Sequence, residues 1–137
     1  MIDTKKITFE TNGPFDLVNI TKEITSLIRN GSIESGIVSI YSHGSTTAIV
    51  TLGSEDGIKE DFIDAVKRIA PEGKYKHDEK MSHNNGVAHV QSALLGTGLT
   101  LPFAHKRMFL GMFQQIYFVD LDFVKREREV IVQILGE

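Results

Sequence analysis

The chain has 137 residues, no cysteine and a formal charge of −3, which suits one domain, residues 1–137, able to bury roughly 70% of its unfolded surface without a covalent staple. The missing cysteine excludes disulfides, thiolate metal centres and cysteine nucleophiles, and fits a reducing compartment. With no basic field and no run near the roughly 18 apolar residues of a membrane span, no nucleic acid and no membrane is expected as a partner, and the chain reads as cytoplasmic.

Lys6 to Thr11 alternates polar and larger side chains, as a half-buried strand does, until Asn12-Gly13-Pro14 breaks it. Leu17, Ile20, Ile24, Leu27 and Ile28 then share one helical face, which predicts a helix over Phe15 to Arg29 with Asn30-Gly31 as its stop. The β-branched stretch from Gly36 to Leu52 predicts strands Ile37 to Ser42 and Thr46 to Leu52, joined as a hairpin across His43-Gly44-Ser45.

Ile58, Phe62, Ala65, Val66 and Ile69 form a second helical stripe, and Pro71 ends the helix predicted over Ile58 to Ala70. From Glu72 to Asn85 apolar content is low and no period emerges, so this segment reads as a functional loop. Val87 to Leu95 predicts a short third helix. Leu99 to Phe103, Met108 to Leu110, Gln114 to Asp122 and Arg128 to Leu135 read as strands, the third of them buried on one face and polar at its ends. Such a mixture predicts an α+β domain in which antiparallel strands dominate, with sandwich and open sheet both compatible with the pattern.

Polar chemistry concentrates in Ser42 to Thr47 and in the segment His77 to His89. Neutral imidazole is the commonest metal ligand and its protonated form binds anions. A zinc-type centre needs three or four N or O donors at about 2.0–2.2 Å, which separate segments can supply. Two readings stand side by side: His77 and His89 are solvated loop residues and His43 caps a turn, or the three converge on a divalent metal (zinc or magnesium) or a phosphate-bearing ligand. His83 and His105 are assigned to the surface. No Gly-x-Ser-x-Gly elbow accompanies the hydroxyls of Ser42, Ser45, Thr46 and Thr47, Gly96-Thr97-Gly98 reads as a turn, and Glu55, Asp56, Glu60 and Asp61 suit the start of the second helix.

His43-Gly44-Ser45-Thr46-Thr47-Ala48, Asn85-Gly86-Val87-Ala88-His89, Ser92-Ala93-Leu94-Leu95-Gly96, Leu99-Thr100-Leu101-Pro102, Gly111 to Ile116 and Val132 to Glu137 together resemble the YjbQ family, the secondary thiamine-phosphate synthases, in its His-Gly-Ser-Thr branch. The resemblance implies a mainly antiparallel, jelly-roll-like β-sandwich with two main helices and a short third. It also implies a homotrimer and a polar cavity lined by histidines. The implied activity joins a hydroxymethylpyrimidine pyrophosphate to a thiazole phosphate and releases pyrophosphate. Carried over residue by residue, His43, His77, His89 and Asn85 become the catalytic candidates, with the three histidines also the metal ligands, and Ser45, Thr46, Gln114 and Glu55 hold a small phosphorylated substrate. Val87 to Leu95 and Gln114 to Asp122 are the candidate trimer contacts.

Two departures bear on that activity. Gly111-Met112-Phe113-Gln114 replaces the family's Gly-Thr-Trp-Gln, and Gly53 stands where an acid is usual, with Glu55 nearby. An indole N–H and a hydroxyl are lost, although Phe113 can still stack on a ring. The alternative is therefore a non-catalytic metal- or metabolite-binding protein that keeps the histidine-lined cavity.

Overall fold

The first and last strands are set against each other by their matching alternation. The computed structural model describes all residues, Met1–Glu137. In it β1 (Ile2–Thr11) runs antiparallel to β8 (Arg126–Gly136), with Ile7 opposite Val130 and Phe9 opposite Arg128. On the other side of β8 lies β3 (Gly36–Ser42), followed by β5 (Gly98–Ala104) and the short β6 (Arg107–Met108), giving the sheet order β1-β8-β3-β5-β6. A second sheet has β7 (Gln114–Asp120) between β2 (Asp16–Asn19) and β4 (Thr47–Gly53). Every pairing is antiparallel.

The main core lies between the sheets. Val130, Val132 and Ile134 from β8, Val38 and Ile40 from β3 and Phe103 from β5 meet Ile49, Ile116 and Phe118 from the smaller sheet. Helix α1 (Thr21–Asn30) adds Ile24 and Ile28 to this core. Phe9 meets Phe118 edge to face at 4.9 Å between centroids, a geometry worth about 0.5–1.5 kcal/mol beyond burial. On the far face of the small sheet, Val119, Leu121 and Ala48 pack against Ala88 of α4 (Gly86–Leu95) and against Phe62 of α2 (Ile58–Ile69). The architecture is thus the antiparallel α+β sandwich that the pattern and the resemblance predict, with α2 and α4 as an outer layer.

Four local expectations are corrected. The first helix starts at Thr21 and not at Phe15, because Asp16–Asn19 pairs with Tyr117–Asp120 as β2; Leu17 fits the helical stripe by spacing but packs in the sheet. The strands on either side of His43 form no hairpin, since β3 pairs with β5 and β8 while β4 pairs with β7. The loop after Pro71 contains a short helix, α3 (Lys76–Lys80). Finally, β7 is buried on both faces, Ile116 through Leu121 all being inaccessible. A central strand with helices behind it leaves only Gln114 and Gln115 of the expected contact Gln114 to Asp122 partly exposed, so Ile116 to Asp122 offers no surface to a neighbouring copy.

Candidate functional site

Where β7 of the smaller sheet ends and β8 of the larger one begins, the chain places paired acids and arginines, and these build the floor of a cavity. Asp120, fully buried at the end of β7, accepts hydrogen bonds from Arg128 Nη2 at 2.8 Å and Nε at 3.4 Å and from the Thr11 hydroxyl. Arg128, 8% exposed, also donates through Nη2 to Thr46 Oγ1 at 3.3 Å. A two-point Arg–carboxylate pair with further hydrogen bonds is the condition under which buried charges are tolerated. Asp122 completes the floor. Its Oδ1 accepts from Asn85 Nδ2 at 3.1 Å and from the Phe123 N–H at 2.8 Å, and its Oδ2 accepts from the Thr46 hydroxyl at 3.2 Å and lies 3.3 Å from Arg126. Burial pushes the Asp122 carboxyl up, but the hydrogen bonds from Asn85 and Phe123, the Arg126 charge and the Thr46 hydroxyl together outweigh it and hold the group below the usual carboxylate range.

One wall is the β3–β4 connection, His43 to Thr46. It is fixed from below: Thr47 Oγ1 donates to Ser42 Oγ at 3.0 Å, Ser42 Oγ to the Thr97 carbonyl at 3.1 Å, and Ser92 Oγ to the Thr47 carbonyl at 2.6 Å. His43 is exposed, its Nδ1 3.6 Å from Glu129. The Lys6 hydrogen bond chiefly lowers the Glu129 pKa, against the opposing effect of burial, with the Lys6 charge and His43 adding to it.

The opposite wall is the stretch Ser82 to Asn85 with His89 from α4. Asp78 ties α3 to the start of α4, since its Oδ1 accepts the Gly86 N–H at 2.9 Å and sits 3.1 Å from His77 Nδ1. The His77 hydrogen bond, then that of Gly86, lower the Asp78 pKa. Glycine is required at position 86 by close approach: a Cβ there would fall 2.8 Å from Tyr75 Cβ and 2.9 Å from Asp78 Oδ1. The junction sets the His77 and His89 rings 4.8 Å apart. Asn85 Oδ1 is buried and accepts no hydrogen bond from the protein.

The cavity so formed measures about 630 Å³, and His43, His83, His89, Arg126 and Arg128 all border it, as do Ser45, Thr46, Asn85 and Asp122. His77 stands behind His89 rather than on the lining. His83 is exposed, as expected, yet belongs to the rim. His105 lies away from the site in the two-residue turn between β5 and β6, where it and Lys106 take positive φ.

Gln114 and Glu55 are not part of this cavity. In the β4–β7 ladder Thr47 pairs with Asp120 at the cavity end and Gly53 pairs with Gln114 at the other, six residues away, or roughly 20 Å at about 3.3 Å per residue. The expected grouping of these two with His43 is therefore corrected: motif order along the chain put them together, while the strand direction separates them. The three-histidine metal centre is not assembled either, as no three His, Asp or Glu side chains lie close enough to hold an ion.

Sequence reasoning missed Arg126, Arg128 and Asp120 and treated Asp122 as a polar strand end. The available signal was the Asp-x-Asp at 120 and 122 facing Arg-x-Arg at 126 and 128 across a short turn. Alternate residues on adjoining strand ends share a face, so like-spaced acids and bases can pair there.

A two-sheet antiparallel fold with a polar cavity where the strands change sheet is thus the class of protein defined. The sequence matches the family described as UPF0047 protein YjbQ-like over residues 5–137, and the chain belongs to that family. A UPF0047 protein of Archaeoglobus fulgidus is 32% identical, covering 95% of this chain and 99% of its own. One from Methanocaldococcus jannaschii is 31% identical over 96% of this chain and 94% of its own. Among solved structures, a YbjQ-like protein of unknown function from Sulfolobus solfataricus has a TM-score of 0.88 at 28% identity and full coverage of both chains. A hypothetical protein from Aeropyrum pernix has a TM-score of 0.89 at 26% identity, covering 98% and 99%. These relatives correct the implied activity. They carry a family name without an activity, the Sulfolobus protein being described as of unknown function, and none supports thiamine-phosphate synthesis.

Proposed function

We propose that the cavity binds a small, negatively charged polar metabolite. The observation that carries this reading is the convergence of Arg126, Arg128, His43, His83 and His89 on one cavity of about 630 Å³, inside the range of roughly 300–1,000 Å³ usual for small-molecule sites. Its walls are polar, which suits a hydrogen-bonding ligand better than an apolar one. Asp120 and Asp122 offset the two arginines, so attraction comes from directed N–H groups and imidazoles more than from a net field. Thermal-shift measurements with phosphorylated, sulfated and carboxylated metabolites test it. Anionic compounds should raise the midpoint of the parent, Arg126→Gln and His89→Ala should lose most of that rise, and His105→Ala should keep it. No response to any anion, or an equal response to neutral analogues, would remove the reading.

A divalent cation is supported as a second reading by the His77–His89 pair. The Asp78 carboxylate 3.1 Å from His77 Nδ1 would leave Nε2 free to ligate, the arrangement carboxylates favour in ligating histidines. Two protein nitrogens hold a metal weakly, so the bound metabolite would supply further donors. Metal content of His77→Ala and His89→Ala should fall together while that of His83→Ala does not; equal content in all three sinks it. A homotrimer also remains our proposal, now through α4 alone, where Val90 and Leu94 are exposed apolar side chains. A monomer by light scattering at micromolar concentration contradicts it. No helix is long and apolar enough to cross a membrane.

A further inference from the structure

We propose that Asn85-Gly86 is a succinimide-forming pair that Asp78 holds inert, and that its conversion to aspartate or isoaspartate is a covalent modification that abolishes anion binding in the cavity. Only the effect on the cavity depends on the anion reading.

Asparagine followed by glycine occurs at Asn12-Gly13, Asn30-Gly31 and Asn85-Gly86. A glycine nitrogen has no Cβ beside it, so it reaches the preceding asparagine Cγ more readily than other residues do. The nitrogen gives up its proton and bonds to Cγ, the Cγ–Nδ2 bond breaks and ammonia leaves. Water then opens the imide at either carbonyl, giving aspartate or isoaspartate. The chain offers this chemistry unequal settings. Asn12 is exposed and the Gly13 N–H bonds to nothing within the chain. Asn30 is also exposed, with the Gly31 N–H on the Ile28 carbonyl at 3.3 Å.

At the third pair every reacting atom is engaged or enclosed. Gly86 is buried and donates its N–H to Asp78 Oδ1 at 2.9 Å. Asn85 Nδ2, the leaving nitrogen, donates to Asp122 Oδ1 at 3.1 Å. The Asn85 carbonyl opens α4 by accepting from the Ala88 N–H at 3.0 Å and the His89 N–H at 3.4 Å. Ring closure swings the Gly86 nitrogen toward Cγ by rotation about the Asn85 Cα–C bond, far from the ψ of 26° found here. That rotation breaks the Asp78 bond and the start of the helix together. Attack also turns Oδ1 into an oxyanion, and Oδ1 is buried with no donor facing it, the reverse of an oxyanion hole. Asp78 is thus a positioning residue for the Asn85–Gly86 peptide.

Both products damage the floor. An aspartate at position 85 sets an acid oxygen where Nδ2 now meets Asp122, so a carboxylate loses its donor and gains a like charge. Isoaspartate adds a main-chain carbon at the first turn of α4, which displaces His89 from the wall. Either product adds negative charge beside the arginines and histidines that would attract an anion.

Incubation of the parent in mildly alkaline buffer, folded and in urea, with peptide mapping by mass spectrometry, tests the pair. In urea Asn12 and Asn85 should lose ammonia at similar rates. In the folded chain Asn85 should react about tenfold or more slowly than Asn12, the weight of one charge-assisted hydrogen bond in a barrier. Asp78→Ala should raise the Asn85 rate about tenfold, and Asp78→Asn, which keeps an acceptor oxygen, should restore protection. Equal rates at Asn12 and Asn85 in the folded parent overturn the guarded pair, and this comparison decides even if Asp78→Ala fails to fold. A slower reaction in Asp78→Ala also overturns it, by making the carboxylate the base that takes the Gly86 proton. For the effect on the cavity, Asn85→Asp should lose the binding of inorganic phosphate that the parent shows. Equal binding by the two removes the effect and leaves the cavity reading intact. A parent that binds no small anion removes the cavity reading and the effect with it, while the guarded pair is judged by the mass spectra alone.

Discussion

The two ends of the β4–β7 ladder are built from the same pair of strands and obey opposite rules. At one end Thr47 pairs with Asp120 over a floor of buried charge; at the other Gly53 pairs with Gln114 beside Met112 and Phe113, which are 89% and 53% exposed. Buried charge and exposed large apolar groups are each the informative exception in a folded chain. The first end is cross-linked by hydrogen bonds from four segments, so its polar groups have fixed places. The second end is held by the Ser54 N–H to Phe113 carbonyl bond, which links the end of β4 to the start of β7, and by the Gln114 side chain on the Gly111 N–H, which is local to one turn. Chemistry that needs fixed donors belongs at the first end.

Breaking the charged end should produce the largest effect in the molecule. Asp120→Ala strips Arg128 of its two-point partner and leaves a buried cation, a change that costs about 3–5 kcal/mol. Gln114→Ala, at the other end, removes a partly exposed local hydrogen bond and should cost less than about 1 kcal/mol. Urea denaturation of the two variants beside the parent measures the difference. Comparable losses would mean that the floor is no more constrained than the far turn.

The next effect in size concerns acid. Asp122, Asp78 and Glu129 all have folded pKa values below their ordinary ones, so the unfolded chain binds protons first as pH falls. The stability they contribute is complete above the unfolded carboxylate range and is lost as pH drops through their folded values, that is, below about pH 4. Of the three, only Asp122 belongs to the buried floor. Asp122→Asn should cost about 1–2 kcal/mol at neutral pH, since hydrogen bonds to a charged acceptor become neutral ones, and should flatten the acid limb of the stability curve. An acid limb as steep as the parent's would place the titration elsewhere.

The two clear helical stripes and the late strands were legible in the sequence because each has one dominant period. Partnering was not. Nothing in Ser42-His43-Gly44-Ser45 separates a hairpin from a change of sheet, since both need a tight turn between β-branched runs, and Leu17 satisfies a helical and a strand pattern equally. In the site, the clustered histidines drew notice by residue type, and His43, His83 and His89 do border one cavity. Arg128 drew none, because an arginine near the start of a terminal strand looks like a solvated end until Asp120 and Thr46 are seen to enclose it. Motif order misled for Gln114 and Glu55: β4 carries the chain away from the cavity end of the ladder and β7 brings it back, so residues grouped with His43 by motif order lie at the opposite end of that ladder.

The smallest predicted effect bears on that separation. Glu55 is exposed, and its carboxylate folds back against Gly53, where a Cβ would collide with it. From the far end of a ladder roughly 20 Å long its charge lies beyond the screening length of about 8–10 Å at ordinary ionic strength. Glu55→Gln should therefore change phosphate affinity by less than about twofold, a few tenths of a kcal/mol, whereas Arg126→Gln on the cavity rim should reduce it severalfold. Calorimetry under one buffer and salt condition compares them directly. A several-fold change for Glu55→Gln cannot arise within one chain by this geometry. It would mean that the far end of a neighbouring copy reaches the cavity, and the contrast between the two ends would then hold only inside a single subunit.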